Sequence, residues 1–358
     1  MKRIGLLTSG GDCQGLNAAL HGVAKALYEH YDEEDLELYG ILDGYRGLIE
    51  GDTRRMGPDD FSGILTLGGT ILGTSRQPFK RMRVIENDVD KVQAMKDTYK
   101  RLKLDALVIL GGNGTHKTAN LLAEEGLNVV TLPKTIDNDV WGTDMTFGFQ
   151  SAVDLATTVL DCIHTTATSH GRVFIVELMG HKAGWLALHA GIAAGADVVL
   201  IPEIPYSLNS IVKALKKRNR AGKRFSILAV AEGAISAEDA RLSKKELKAK
   251  RAASPYPSIS YELAQQIGDL TGQEIRVTVP GHFQRGGSPC PYDRALATRF
   301  GAAAAQLVIE ENYGNMVALK NGDILPVPLR EVAGKLKTVP ADSPVVRAAR
   351  QIGICFGD

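Results

Sequence analysis

The sequence predicts an α/β protein built as two Rossmann-like lobes, each a mostly parallel sheet flanked by helices. An apolar strand, a glycine pair and an amphipathic helix occur in that order near the N-terminus and again from residue 106, and further βα units follow a long apolar helix. At 358 residues the chain also exceeds the size, roughly 250–300 residues, at which one hydrophobic core stops growing.

Residues 3–8 read as a short buried strand, Gly10 and Gly11 as a turn, and Leu16, Ala19, Leu20, Val23 and Leu27 as the apolar face of a helix. Residues 106–110, Gly111-Gly112 and residues 117–125 repeat the order, with another strand at 128–132. After a helix at 151–168, strands at 173–176, 198–200 and 225–230 alternate with helices at 183–194 and 208–218. Such units wind right-handedly into parallel sheets that bind ligands at the carboxyl ends of their strands. The pattern gives two such sheets, with a changeover near Gly148.

Composition narrows the function. Hydrophobic residues at 44% and charged residues at 23% match ordinary globular proteins, and a net charge of +1 offers no footprint for nucleic acid or an anionic membrane. No segment approaches the ~20 apolar residues of a membrane span, and the N-terminal apolar run is too short for a signal peptide, so a cytoplasmic location is expected. Cys13, Cys162, Cys290 and Cys355 lack metal or disulfide spacing and read as free thiols. The basic stretch 238–251 carries no aromatic residue and reads as a solvated helix.

Three glycine-rich turns, Gly10 to Gly15, Gly68 to Arg76 and Gly111 to Thr115, are expected where strands meet helices. Glycine lets backbone N–H groups approach an anion, and a helix N-terminus adds positive potential, so together they point to polyphosphate. Neither a Walker loop nor the dinucleotide fingerprint is present, which disfavours a dehydrogenase. Asp137 and Asp139 end an apolar strand two residues apart and share a face if the backbone is extended, as an acid–base or metal-binding pair; an Asx turn or helix cap explains the same spacing. Arg172, Arg276 and Arg285 stand near expected strand ends, where guanidinium groups suit phosphate oxygens.

The segments GGDCQGLN, GTSRQP, GGNGT, PKTIDND, SHGR, VELMG, PEIP, the Glu of AEG and PGHFQRGGSPCPYDR resemble, in order and spacing, the signatures of the phosphofructokinase A family, from about residue 3 to 307. The resemblance implies Mg²⁺-dependent phosphoryl transfer to the 1-hydroxyl of fructose 6-phosphate, with the donor on a larger lobe of residues 1–148 plus about 284–335 and the sugar phosphate on a smaller one of 149–283 plus about 336–358. It implies Asp137 as general base with Thr135 and Asp139 beside it. Gly11, Arg76, Gly112, Asn113, Gly114 and Thr115 would hold the donor, and Met179, Gly180, His181, Glu232, His282 and Arg285 the sugar phosphate. Arg172 and Arg276 would reach across from a neighbouring subunit of a homodimer or homotetramer.

Two positions resemble a donor switch within the family and point in opposite directions. Gly114 resembles the ATP type and Lys134 the pyrophosphate type, a mixed pair like that of the family's mixed-substrate subgroup. The glycine is weighed more heavily, so ATP is the expected donor and pyrophosphate the alternative, because Lys134 does not obstruct a nucleotide. Asn113 replaces the usual metal-partner Asp, and His181 stands where many members carry Arg; these departures motivate a catalytically weak ligand sensor as a third reading. In the effector pocket of bacterial members, His21, Pro58 and His164 replace basic residues, which implies weak allosteric control.

Overall fold

A computed structural model describes residues 1–358. Its strands are β1 (Lys2–Thr8), β2 (Leu36–Ile41), β3 (Thr53–Met56), β4 (Ala106–Gly111), β5 (Val129–Pro133), β6 (Val173–Leu178), β7 (Val198–Leu200), β8 (Ser226–Ala231), β9 (Ile275–Thr278), β10 (Asn315–Lys320) and β11 (Asp323–Pro328). They divide between two compact units, one of Met1–Ser151 with Arg285–Lys337 and one of Ala152–Gln284 with Thr338–Asp358. The mostly parallel two-sheet architecture follows the expected fold class.

The first unit holds a seven-stranded sheet in the order β11-β10-β5-β4-β1-β2-β3. Its five central strands run parallel, whereas β3 and β11 pair antiparallel at the two edges. Strands β1, β4 and β5 are buried along most or all of their length, as a sheet covered on both faces requires. Leu7, Leu107, Ile109 and Val129 join Tyr45, Leu122 and Met316 in one core on this sheet. Helices Leu16–His30 and Pro291–Ile309 pack together, and Gly301 permits it: a Cβ there would stand 2.4 Å from the Ala19 carbonyl oxygen.

The second unit holds a wholly parallel four-stranded sheet, β7-β8-β6-β9. Val173, Ile175, Leu200, Leu228 and Val230 pack there with Ile211, Leu215 and Leu263 from helices Leu208–Arg220 and Ile259–Thr271. The apolar helix Phe149–His170 carries the chain from the first unit into the second. No helix is long and apolar enough to cross a membrane.

Three expected features differ. The helix expected over 117–125 begins at Asn113: Tyr45 donates its hydroxyl proton to the Thr115 carbonyl at 2.9 Å, and this tertiary contact outweighs the weak helix propensity of Asn-Gly-Thr. The Gly68–Gly69 turn lies in irregular chain, not between strand and helix. Asp137 and Asp139 do not share a face of an extended strand, because β5 ends at Pro133 and Asn138 turns the chain in the left-handed region, φ 50°.

Candidate functional site

In the first unit, three loops leave the carboxyl ends of the adjacent strands β1, β4 and β5. The first carries Gly10 and Gly11, the second starts helix Asn113–Glu124 at Gly112, and the third runs from Lys134 to Phe147. Residues 73–76 join them through two bonds: the Gly10 amide donates to the Ser75 carbonyl at 3.0 Å, and the Thr74 hydroxyl donates to the Gly10 carbonyl at 2.7 Å.

Three cations therefore gather at one glycine. Lys134, almost fully buried, donates its ammonium to the Gly11 carbonyl. A Cβ placed on Gly11 would stand 2.8 Å from Nη1 of Arg285 and 3.3 Å from Nη2 of Arg76, so any larger side chain would displace the guanidinium groups. Arg285 donates from Nη1 to the Asp12 carbonyl at 2.9 Å, while its buried Nε has no partner. None of the three cations pairs with a carboxylate within 4 Å. Burial lowers the pKa of Lys134, and the charge of Arg285 lowers it further. Uncompensated positive charge around an open backbone turn is what an incoming anion neutralises. Burial pushes the neighbouring Cys13 thiol up to about 12, which makes it inert.

The third loop presents Thr135, Asp137 and Asp139. The Thr135 hydroxyl accepts from the Asp137 amide at 3.1 Å, closing a small turn. Oδ1 of Asp137 is buried without a hydrogen-bond partner, as is Oδ1 of Asn113, whose amide nitrogen donates to the Asp139 carbonyl at 3.0 Å. Burial, then the charge of Asp137, raise the Asp139 carboxyl to about 6. Two acceptors thus lie desolvated and unsatisfied beside a second carboxyl group, a combination that costs stability unless a proton, a cation or a donor arrives. A Cβ on Gly114 would meet nothing within 4 Å. Thr115 is turned inward, its hydroxyl donating to the Ser9 carbonyl at 3.3 Å.

In the second unit, Met179, Gly180 and His181 follow β6. The His181 amide donates to Glu232 at 2.8 Å and the Met179 amide to Gln284 at 3.3 Å. The Gly184 amide donates to both oxygens of Glu203, at 3.0 and 3.1 Å, which closes the turn from behind. Arg172 and Arg276 both pair with Glu274, and His282 is exposed. Glu203, inside the PEIP motif, and Glu274, two residues before Arg276, carry no role in the sequence-based expectations; the acidic residue within an otherwise apolar Pro202–Pro205 segment is the one signal of a role. The imidazoles of His21 and His164 face the Phe61 and Ala194 carbonyls, at 2.9 and 2.6 Å.

A glycine turn at the carboxyl end of a parallel strand, ringed by unpaired cations and flanked by desolvated carboxyl groups, defines a phosphate-handling α/β protein. Residues 3–308 match the family described as Phosphofructokinase, and the chain belongs to that family. It is 58% identical, over 100% of its length and 98% of the relative's, to an ATP-dependent 6-phosphofructokinase of Spirochaeta thermophila. It is 49% identical to ATP-dependent 6-phosphofructokinase 3 of Bacteroides thetaiotaomicron, over 99% of this chain and 100% of that one. Among solved structures, Pichia pastoris phosphofructokinase in the T-state matches with a TM-score of 0.80 at 33% identity; the match covers 98% of this chain but only 36% of that one. A pyrophosphate-dependent phosphofructokinase of Marinobacter aquaeolei, at 19% identity and a TM-score of 0.81, shares the fold.

Proposed function

We propose that this chain is an ATP-dependent 6-phosphofructokinase that moves the γ-phosphoryl group of ATP to the 1-hydroxyl of fructose 6-phosphate, releasing ADP and fructose 1,6-bisphosphate. The observation that carries the reading is the ring of Lys134, Arg76 and Arg285 around Gly11, charged and without carboxylate partners. The names of the curated relatives support ATP over pyrophosphate, and so does the open space at Gly114.

In this reading Asp137 accepts the proton of the sugar hydroxyl at Oδ1 as the new O–P bond forms and the bond between the β- and γ-phosphates breaks. The backbone of Gly11, the N-terminus of helix Asn113–Glu124 and the three cations hold the donor phosphates and stabilise charge that develops during transfer. Thr135 orients Asp137. Met179, Gly180, His181, Glu232 and His282 bind the sugar, and Arg172 and Arg276 serve the site of a neighbouring copy in a homodimer or homotetramer. That placement is supported by the exposed position of Arg276 on β9, an edge strand.

Mg²⁺ fits the residues present. It keeps several waters and takes one or two carboxylates with substrate phosphates, and Asp139 with the unsatisfied Asn113 and Asp137 oxygens offers such a set. When bound it would neutralise charge on the donor phosphates. The test is purified protein with fructose 6-phosphate and Mg²⁺, given ATP, ADP or pyrophosphate in turn. Bisphosphate formation from ATP alone or predominantly is expected; turnover with pyrophosphate alone, or tight binding without product, overturns the reading.

A further inference from the structure

We infer that Lys337 is a positioning residue for the phosphoryl-transfer site, acting through Asn138; this deepens the proposed function and rests on it. Residues 335–337 run antiparallel to residues 139–141 as a strap. Leu336 bridges Val140, the Lys337 amide donates to the Asp139 carbonyl at 2.9 Å, and the Lys335 ammonium sits 5.9 Å from the centre of the Trp141 ring. The Lys337 ammonium donates to Oδ1 of Asn138 at 2.8 Å and to the carbonyls of Thr143 and Asp144 at 3.0 and 2.9 Å. All three of its protons therefore have acceptors on one loop.

Asn138 is the residue between the two aspartates. It is buried, held at φ 50°, and its Oδ1 also accepts from the Thr146 amide at 3.1 Å. Its carboxamide oxygen is thus gripped by a cation on one side and by the far end of the loop on the other. With that grip the peptide planes on both sides of Asn138, and hence the aim of Asp137, are set. Without it, one polar group of a tight turn is left with half its bonds while the fold of β1, β4 and β5 is untouched. A loosened base costs turnover rather than binding, since misplacement by about 1 Å can cost about a hundredfold.

The test is a double-mutant cycle of Lys337→Met and Asn138→Ala, read as kcat, as KM for both substrates and as hydrogen exchange of residues 137–147. Lys337→Met should lower kcat about 10- to 100-fold with each KM within about twofold. Within Asn138→Ala it should cost no more than about threefold further. Exchange should rise in the loop and stay unchanged in β1 and β4. Wild-type kcat in Lys337→Met, or losses that simply multiply, would overturn the inference. Should Lys337→Met fail to fold, Lys337→Gln replaces it with the same expectations. A wild-type protein without transfer activity would sink the proposed function instead, and the exchange measurement would still decide the pinning: an unchanged loop would overturn it.

Discussion

Arg172 donates from Nε to Glu274 at 2.6 Å, and Arg276 pairs with the other oxygen of the same carboxylate. Both arginines proposed to bind a sugar phosphate are thus already occupied by an anion of their own chain. A phosphate must displace that carboxylate, and exposed ion pairs of this kind hold by about 0.2–1 kcal/mol each. Glu274→Gln should therefore lower the fructose 6-phosphate KM, by up to about tenfold, with kcat little changed. A higher KM would show instead that Glu274 orients the guanidinium groups.

Asp137 is proposed as the base because Oδ1 is buried with no donor facing it. Asp137→Asn keeps the shape and removes the proton acceptor. Steady-state kinetics should show kcat reduced about 10²–10⁴-fold with both KM values nearly unchanged. A variant that turns over at the wild-type rate would end the assignment.

Gly114 separates steric from structural effects at the donor site. A Cβ there meets nothing within 4 Å, and an acidic residue in the first turn of a helix is mildly stabilising, about 0.3–1 kcal/mol. Gly114→Asp should thus keep the wild-type melting temperature while suppressing ATP turnover at least about tenfold, more than any pyrophosphate turnover. Equal loss with both donors would show that the loop itself had changed.

The parts legible in the sequence were those written locally. Strand β1, its glycine turn and the helix after it are one continuous pattern of apolar spacing, and the Pro133–Asp139 segment announces itself by its carboxylates. The geometry of that segment was not legible, because the left-handed turn at Asn138 is held by Lys337, 199 residues away, and no periodicity records such a contact. Strands β2, β3, β9, β10 and β11 were not expected: β3 is polar and largely exposed, and the two prolines of β11 argue against a strand except at a sheet edge, where it lies. Arg285 was assigned to the sugar from its motif; that its guanidinium also lies beside the Gly11 turn is a neighbourhood that only the folded chain reveals.

His116 gives a prediction about stability, away from catalysis. It is fully buried on helix Asn113–Glu124, its Nδ1 lies 3.0 Å from the Thr131 hydroxyl, and its Nε2 has no partner. Burial first, then the charge of Lys134, lower its pKa to about 3, so the folded protein keeps the ring neutral. The unfolded chain takes up a proton near pH 6.5 that the folded one refuses until about 3. The stabilisation is complete above pH 6.5 and is lost as pH falls, at about 1.4 kcal/mol per pH unit. Asp139, raised to about 6, works the other way, since the folded state binds its proton first. Comparison with His116→Gln isolates the histidine, because the aspartate contributes to both proteins. Between pH 6.5 and 5.0, urea unfolding should show the wild type losing about 2 kcal/mol more than the variant. Parallel losses would mean that His116 is protonated inside the fold.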